Sequence, residues 1–224
     1  MKLARQTSAF TLVELLVVIS IIGILAGIAF PAYTTIQERG KQTKALTYAK
    51  QIGTVCKIYA GDYDGRFPTY VDPTSSDETT YTNSNDAFTA LLEGGYVNDE
   101  TLFYIPDSAF CSSPTIDKDE EVEEGENHWA LYVGLTDTDN SSYPLIADGF
   151  ADEGSATYAT DKKVEGGVWG GKRAVVCYVD MSARVENLRD EILEGNFGGN
   201  SNVNLLDPGS TDGYMTGVEI ANPK

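Results

Sequence analysis

The side chain with most chemistry in its placement is Glu14. It is the one carboxylate inside an apolar run that extends from Phe10 to Ala32, where Ser20 and Thr11 are the other polar residues. An isolated carboxylate in lipid is costly, so it must find a partner, take up a proton or reach the headgroups. Other residues have types that could bind a ligand. Asp137, Asp139, Asn140 and Ser141 cluster oxygen ligands, as do Asp207, Ser210 and Asp212. Both sets suit a calcium ion in type, and neither completes the twelve-residue EF-hand pattern. Ordinary Asx turns are the competing reading. His128 is the sole histidine and reads as a structural residue beside Trp129. Cys56, Cys111 and Cys177 are too far apart in sequence for a zinc knuckle. A Cys111–Cys177 bridge with Cys56 buried on a helix face is one of three possible pairings, and three buried thiols is the other reading. No nucleophile elbow, phosphate loop or metalloprotease motif is present, so neither an enzyme nor a cofactor is expected.

The elements that must position these residues follow from pattern. Phe10 to Ala32 as a helix spans about 34 Å, enough for the hydrocarbon core of a bilayer. Lys2 and Arg5 precede the run, and the next basic residue is Arg39. That bias puts the N-terminus in the cytoplasm and the rest of the chain outside the inner membrane. Gly23 and Gly27 form a G-x-x-x-G pair compatible with close helix approach, and Pro31 removes one internal hydrogen bond. An ordinary secretory signal peptide is the plain alternative, but Glu14 and the length of the run argue against it.

From Tyr33 to Ala60, Ile36, Ala45, Tyr48, Ala49, Ile52, Val55, Cys56 and Tyr59 recur at helical spacing. This reads as an amphipathic stalk over residues 34–60. Arg39, Lys41, Lys44, Lys50 and Lys57 mark it as basic in a chain of net charge −18. Their plain reading is a solvated face; they would also counter acidic surfaces of neighbouring chains. Gly61 is expected to cap the helix and Pro68 to prevent its resumption. Residues 61–224 read as one acidic head, whose charge disfavours nucleic acid as a ligand. Within it a short helix is expected over Ala87 to Leu92, with Gly94 and Gly95 at its end. The acidic residues 117–126 read as a solvated loop. Strands are expected over Trp129 to Leu135, Tyr143 to Ala147, Ala174 to Val179 and Ala183 to Leu188, the last two as an antiparallel hairpin. The approach to the late loop, from Gly198 to Asn204, reads as loose.

Ser8 to Leu15, with Ala9, Phe10 and Glu14 at fixed spacing, resembles the cleavage and methylation motif of type IV pilins and type II secretion pseudopilins. The family usually carries Gly where this chain has Ala9. The resemblance implies an α+β, pilin-like fold: a leader over 1–9, a membrane and assembly helix over 10–33, the stalk, and a head with a small antiparallel sheet. It implies cleavage between Ala9 and Phe10 by a prepilin peptidase, N-methylation of Phe10, and pairing of Glu14 with the new amine of its own or a neighbouring copy. The implied partners are that peptidase, other subunits and an inner-membrane assembly platform. The turn at Asp64, Gly65 and Pro68 extends the likeness, and the late Asp207 and Asp212 loosely resemble the calcium loop of some pseudopilins. A narrower likeness covers Tyr143 to Gly149 and Trp169 to Val185. It resembles pseudopilin-like proteins of planctomycetes and verrucomicrobia, with Met181 where those often carry Gly. The competing class is a membrane-anchored surface or adhesion protein with a pilin-like N-terminus and no filament role.

Overall fold

The computed structural model describes residues 11–68, 83–112, 119, 121–197, 200–209, 215 and 217–224. The fold is α+β and pilin-like: one long N-terminal helix and a head built on a small antiparallel sheet. Helix α1 runs from Leu12 to Asp62. The chain divides into two compact units whose boundary, between Thr43 and Lys44, falls inside this helix.

The first unit is the N-terminal part of α1. Every described side chain from Leu12 to Gln37 is exposed. That pattern is wrong for a helix in water, where one face must be buried. It is the pattern of a helix whose apolar surface meets lipid or other helices. Its most apolar 18-residue window has a mean hydropathy of 2.7, and β-branched residues are tolerated because lipid leaves helix as the way to pair the backbone.

The second unit begins with the rest of α1. Ala45, Ala49, Ile52, Cys56 and Ala60 are fully buried, a stripe of mostly small residues at three- and four-residue spacing. Smallness lets the helix approach the sheet closely. A Cβ on Gly53 would stand 2.6 Å from the sulfur of Cys177, so alanine there would force that thiol to move. The helix does not stop at Gly61 as expected from sequence. It continues to Asp62, and the reversal is made by Asp64 and Gly65, both in the left-handed region (φ 53° and 80°). The Gly65 amide then donates to the Ala60 carbonyl at 2.7 Å. Gly61 keeps helical geometry because the turn that follows satisfies the last carbonyls without it.

Helix α2, Ser84–Glu93, starts three residues earlier than the pattern suggested, because the Asn83 side chain accepts from the Asp86 amide and caps it. Gly94 ends it, as expected. Phe88 and Leu91 turn inward, and the Phe88 ring stacks on Phe103 at 4.4 Å.

The sheet has five antiparallel strands in the order β4-β3-β2-β1-β7. They are β1 Trp129–Val133, β2 Pro144–Asp148, β3 Arg173–Tyr178, β4 Ala183–Asn187 and β7 Glu219–Ala221. A second ribbon pairs β5 Glu194–Phe197 with β6 Asn200–Asn204. The expected hairpin is β3–β4, in register from Arg173 opposite Asn187 to Cys177 opposite Ala183. At its turn Met181 has φ 63°. That explains why Gly suits this position: a side chain here costs conformational strain.

Three strands escaped the sequence reading. β5 and β6 are polar and lack alternation, and β6 falls where a loose approach was expected. β7 is short and exists through its pairing with β1 and the contacts of the residues after it. Asn222 answers both backbone groups of Phe150, accepting from its N–H at 2.9 Å and donating to its carbonyl at 2.8 Å. The acidic stretch 117–126 is also not simply solvated: Val122 and Glu126 are buried, and Glu126 accepts from the Glu123 amide. The carboxylate is used to close its own turn.

Candidate functional site at the start of the first helix

Thr11 is the residue before α1 and Glu14 lies three positions on, in its first turn. The two side chains are joined reciprocally. Glu14 Oε2 accepts from the Thr11 backbone N–H at 2.9 Å and from its hydroxyl at 2.7 Å. The Thr11 hydroxyl oxygen in turn accepts from the Glu14 amide at 3.3 Å. This is a capping box, and it satisfies two backbone donors that the helix start would otherwise leave open. The helix N-terminus also favours a negative charge at that end. A carboxylate read from sequence as unpartnered is thus hydrogen-bonded within its own chain. Thr11 is the functional residue that sequence reasoning passed over, although the T-x-x-E spacing before an apolar run was legible.

Ala9 and Phe10, the residues implied to flank the cleavage, lie outside the described residues, as does Asp212. Asp207 is described: its Oδ1 accepts from the Gly209 amide at 2.8 Å, closing an Asx turn. The other oxygen-rich segment is divided among separate tasks. Asp137 pairs with the Lys57 ammonium at 3.0 Å, Asp139 caps Thr136, and Asn140 accepts from Ser142. Among the described residues no group of three or more His, Cys, Asp or Glu is placed to hold a metal ion.

The head does bring together a set of residues that sequence could not. His128 Nδ1 lies 2.7 Å from the Ser108 hydroxyl and Nε2 lies 2.7 Å from Asp148 Oδ1. Serine, imidazole and carboxylate in line are the side chains of acyl-transfer triads. Here they are buried to 6%, 1% and 0% exposure, so Ser108 has no approach for a substrate. Asp148 Oδ2 is filled by the Trp169 indole N–H at 2.7 Å and the Val175 amide at 2.6 Å. A carboxylate is an acceptor only, so Nε2 must carry a proton, and in the neutral ring Nδ1 then accepts from Ser108. The network ties β1, β2, β3 and the long excursion between β2 and β3 at one buried point. His128 is structural, as the sequence reading held, but its partners were not visible there.

The three cysteines are free and buried. The Cys111–Cys177 bridge is not formed: the Cys111 sulfur accepts from the Ile105 amide, while Cys177 packs on the face of α1 that carries Gly53. Burial pushes the Cys177 thiol up to about 12 and the Cys111 thiol up to about 11. Tyr96 is pushed up to about 12 because its hydroxyl donates to the Asp62 carboxylate at 2.8 Å.

A long apolar helix opened by a capping box, joined to a small antiparallel sheet, defines a pilin-like class of protein. Residues 4–30 match the family described as the prokaryotic N-terminal methylation motif. The chain is 46% identical over 59 residues to the type IV major pilin protein PilA of Myxococcus xanthus, covering 26% of this chain and 27% of that one. It is 35% identical over 99 residues to a fimbrial protein of Neisseria meningitidis serogroup B, covering 41% and 58%. Fimbrial protein EcpC of Eikenella corrodens matches at 44% over 59 residues, covering 26% and 39%. The chain therefore spans less than two thirds of each of these relatives. No solved structure matches it significantly. The chain thus carries the N-terminal methylation motif over residues 4–30 and is similar over part of its length to type IV pilin and fimbrial proteins.

Proposed function

We propose that the chain is a structural subunit of a type II secretion pseudopilus or a related type IV filament. In this reading a prepilin peptidase cuts between Ala9 and Phe10 and methylates the Phe10 amine. The apolar part of α1 anchors the protomer in the inner membrane with its N-terminus cytoplasmic and its head outside. Glu14 then orients the amine of its own or an adjacent copy during recruitment by the assembly platform. The observation that carries the reading is the methylation motif at residues 4–30, continuous with a helix of membrane-spanning length. The narrower kinship with planctomycete and verrucomicrobial pseudopilin-like proteins belongs to the same proposal and rests on Tyr143 to Gly149 and Trp169 to Val185 alone.

Intact-mass analysis of membrane-extracted protein tests it. The expected species begins at Phe10 and carries one added methyl group. A chain that begins after Ala26, or one released as a soluble secreted protein, would overturn the proposal. Glu14→Ala is expected to leave insertion and head folding intact and to suppress crosslinked oligomers.

A further inference from the structure

Charge is strongly segregated along this chain. From Arg39 to Lys57 there are five basic residues and no acidic one, whereas the whole chain has a net charge of −18. The head therefore carries an excess of negative charge that its own sequence does not balance. A field of that kind selects cations and repels a like-charged surface.

One concavity in the head suits a cation on an apolar stem. It is a cleft of about 520 Å³ between the β3–β4 hairpin and the β5–β6 ribbon. Its floor is Leu193, Leu205 and Leu206, and Asp180, Glu186 and Glu194 supply its carboxylates. Two of these are already engaged: Glu186 accepts from the Tyr178 hydroxyl at 2.8 Å, and Glu194 pairs with Arg189 at 2.9 Å. Arg184 lines the cleft too, with its guanidinium over the Tyr178 ring at 5.4 Å. Asp180 is exposed, spends one oxygen on the Ser182 amide and points the charge of the turn outward. The buried Ser182 hydroxyl oxygen has no partner among the described residues. An ammonium on an aliphatic chain answers the leucines and the open carboxylate: methylenes against the leucines, donors for Asp180. A neutral sugar would want an open aromatic face, and Arg184 covers that of Tyr178.

Within α1, Lys57 is committed to Asp137, whereas Lys44 is exposed and rests over the Tyr48 ring at 5.1 Å. We propose that this cleft is an interface site for a second copy of the chain, which inserts the exposed Lys44 of its helix against Asp180. The inference rests on the assembly reading above and adds to it a contact that the apolar helix does not supply.

The test uses two tagged full-length chains expressed together in membranes. One carries Ser141→Cys at the cleft rim and the other Thr47→Cys, one turn from an intact Lys44. A bifunctional maleimide reads their proximity, and the buried native cysteines serve as the unreactive background. The expected result is a crosslinked heterodimer that falls about fivefold with Lys44→Glu, the upper range for an exposed ion pair. Asp180→Asn keeps the acceptor for the Ser182 amide and removes the charge. In that background Lys44→Glu should have little further effect. Equal losses in both backgrounds overturn the proposal, as does an absent heterodimer while crosslinks through the first helix persist. Loss of the first-helix crosslinks as well would count against the assembly reading itself. Protection of Ser141→Cys by free cadaverine, without any heterodimer, would make the occupant a small amine and overturn the second-copy assignment.

Discussion

Replacing Asp148 separates the two ways a buried carboxylate can matter. In Asp148→Ala the Trp169 indole N–H, the Val175 amide and the His128 Nε2–H all lose their acceptor in the interior. Each buried donor left unanswered costs about 1–3 kcal/mol. The three are neighbours, so simple addition to about 3–9 kcal/mol overstates the sum, and about 3 kcal/mol is the working figure. That is a large part of the stability of an ordinary domain, roughly 5–15 kcal/mol. Asp148→Asn should behave differently. Its carbonyl oxygen still accepts from Trp169 and Val175. Its amide donates to His128 Nε2 if the ring moves its proton to Nδ1, which then donates to Ser108. What is lost is charge assistance, about 1–2 kcal/mol. Urea unfolding of the full chain in detergent, followed by the fluorescence of the buried Trp129 and Trp169, would read both variants. An Asn variant as unstable as the Ala variant would refute the tautomer argument. An Ala variant within about 1 kcal/mol of the native chain would refute the network itself.

The raised thiols give a pH signature. From the ordinary value of 9.0, Cys177 is held to about 12 and Cys111 to about 11 in the fold. Above pH 9 the unfolded chain releases protons that the folded chain keeps, so stability falls with rising pH up to those values and is unaffected by the thiols below pH 9. Urea midpoints between pH 8 and 11 should show a steeper fall for the native chain than for a Cys111→Ser, Cys177→Ala variant. At the helix start, Thr11→Val removes the hydroxyl and keeps Glu14. It should quicken hydrogen exchange of the amides from Leu12 to Leu15 and leave the melting of the head unchanged; unchanged exchange would remove the capping role.

The fold was legible where pattern alone decides structure. The apolar run was legible by its length, the small-residue stripe of α1 and the inward face of α2 by a helical period that burial enforces, and β1 to β3 as short apolar runs buried throughout or nearly so; the bounds of β1 to β4 moved by a few residues at most. What was not legible depends on distant partners. β7 has three residues and needs β1; the end of α1 needed the Asp64–Gly65 turn rather than the nearer Gly61; and Ser108, His128 and Asp148 sit twenty residues apart in succession, with no local signal that they converge. Of the candidate site, the sequence showed Glu14 as the one carboxylate of the apolar run, while Phe10 lies outside the described residues. The immediate geometry of Glu14 was not legible, because attention to a costly charge in lipid hid the ordinary helix-start chemistry of Thr11.

Under the assembly proposed above, that chemistry alters the character of recruitment. A protomer with a bare carboxylate in the bilayer would be driven to the first amine it met, wherever that lay. With Glu14 already hydrogen-bonded to Thr11, a solitary protomer is a tolerable resident of the membrane and can wait there as a reserve. Joining a neighbour becomes a swap of one set of hydrogen bonds for another, decided by a small difference between them. Under that proposal such an exchange would be readily reversed, because one set of hydrogen bonds replaces another of similar kind.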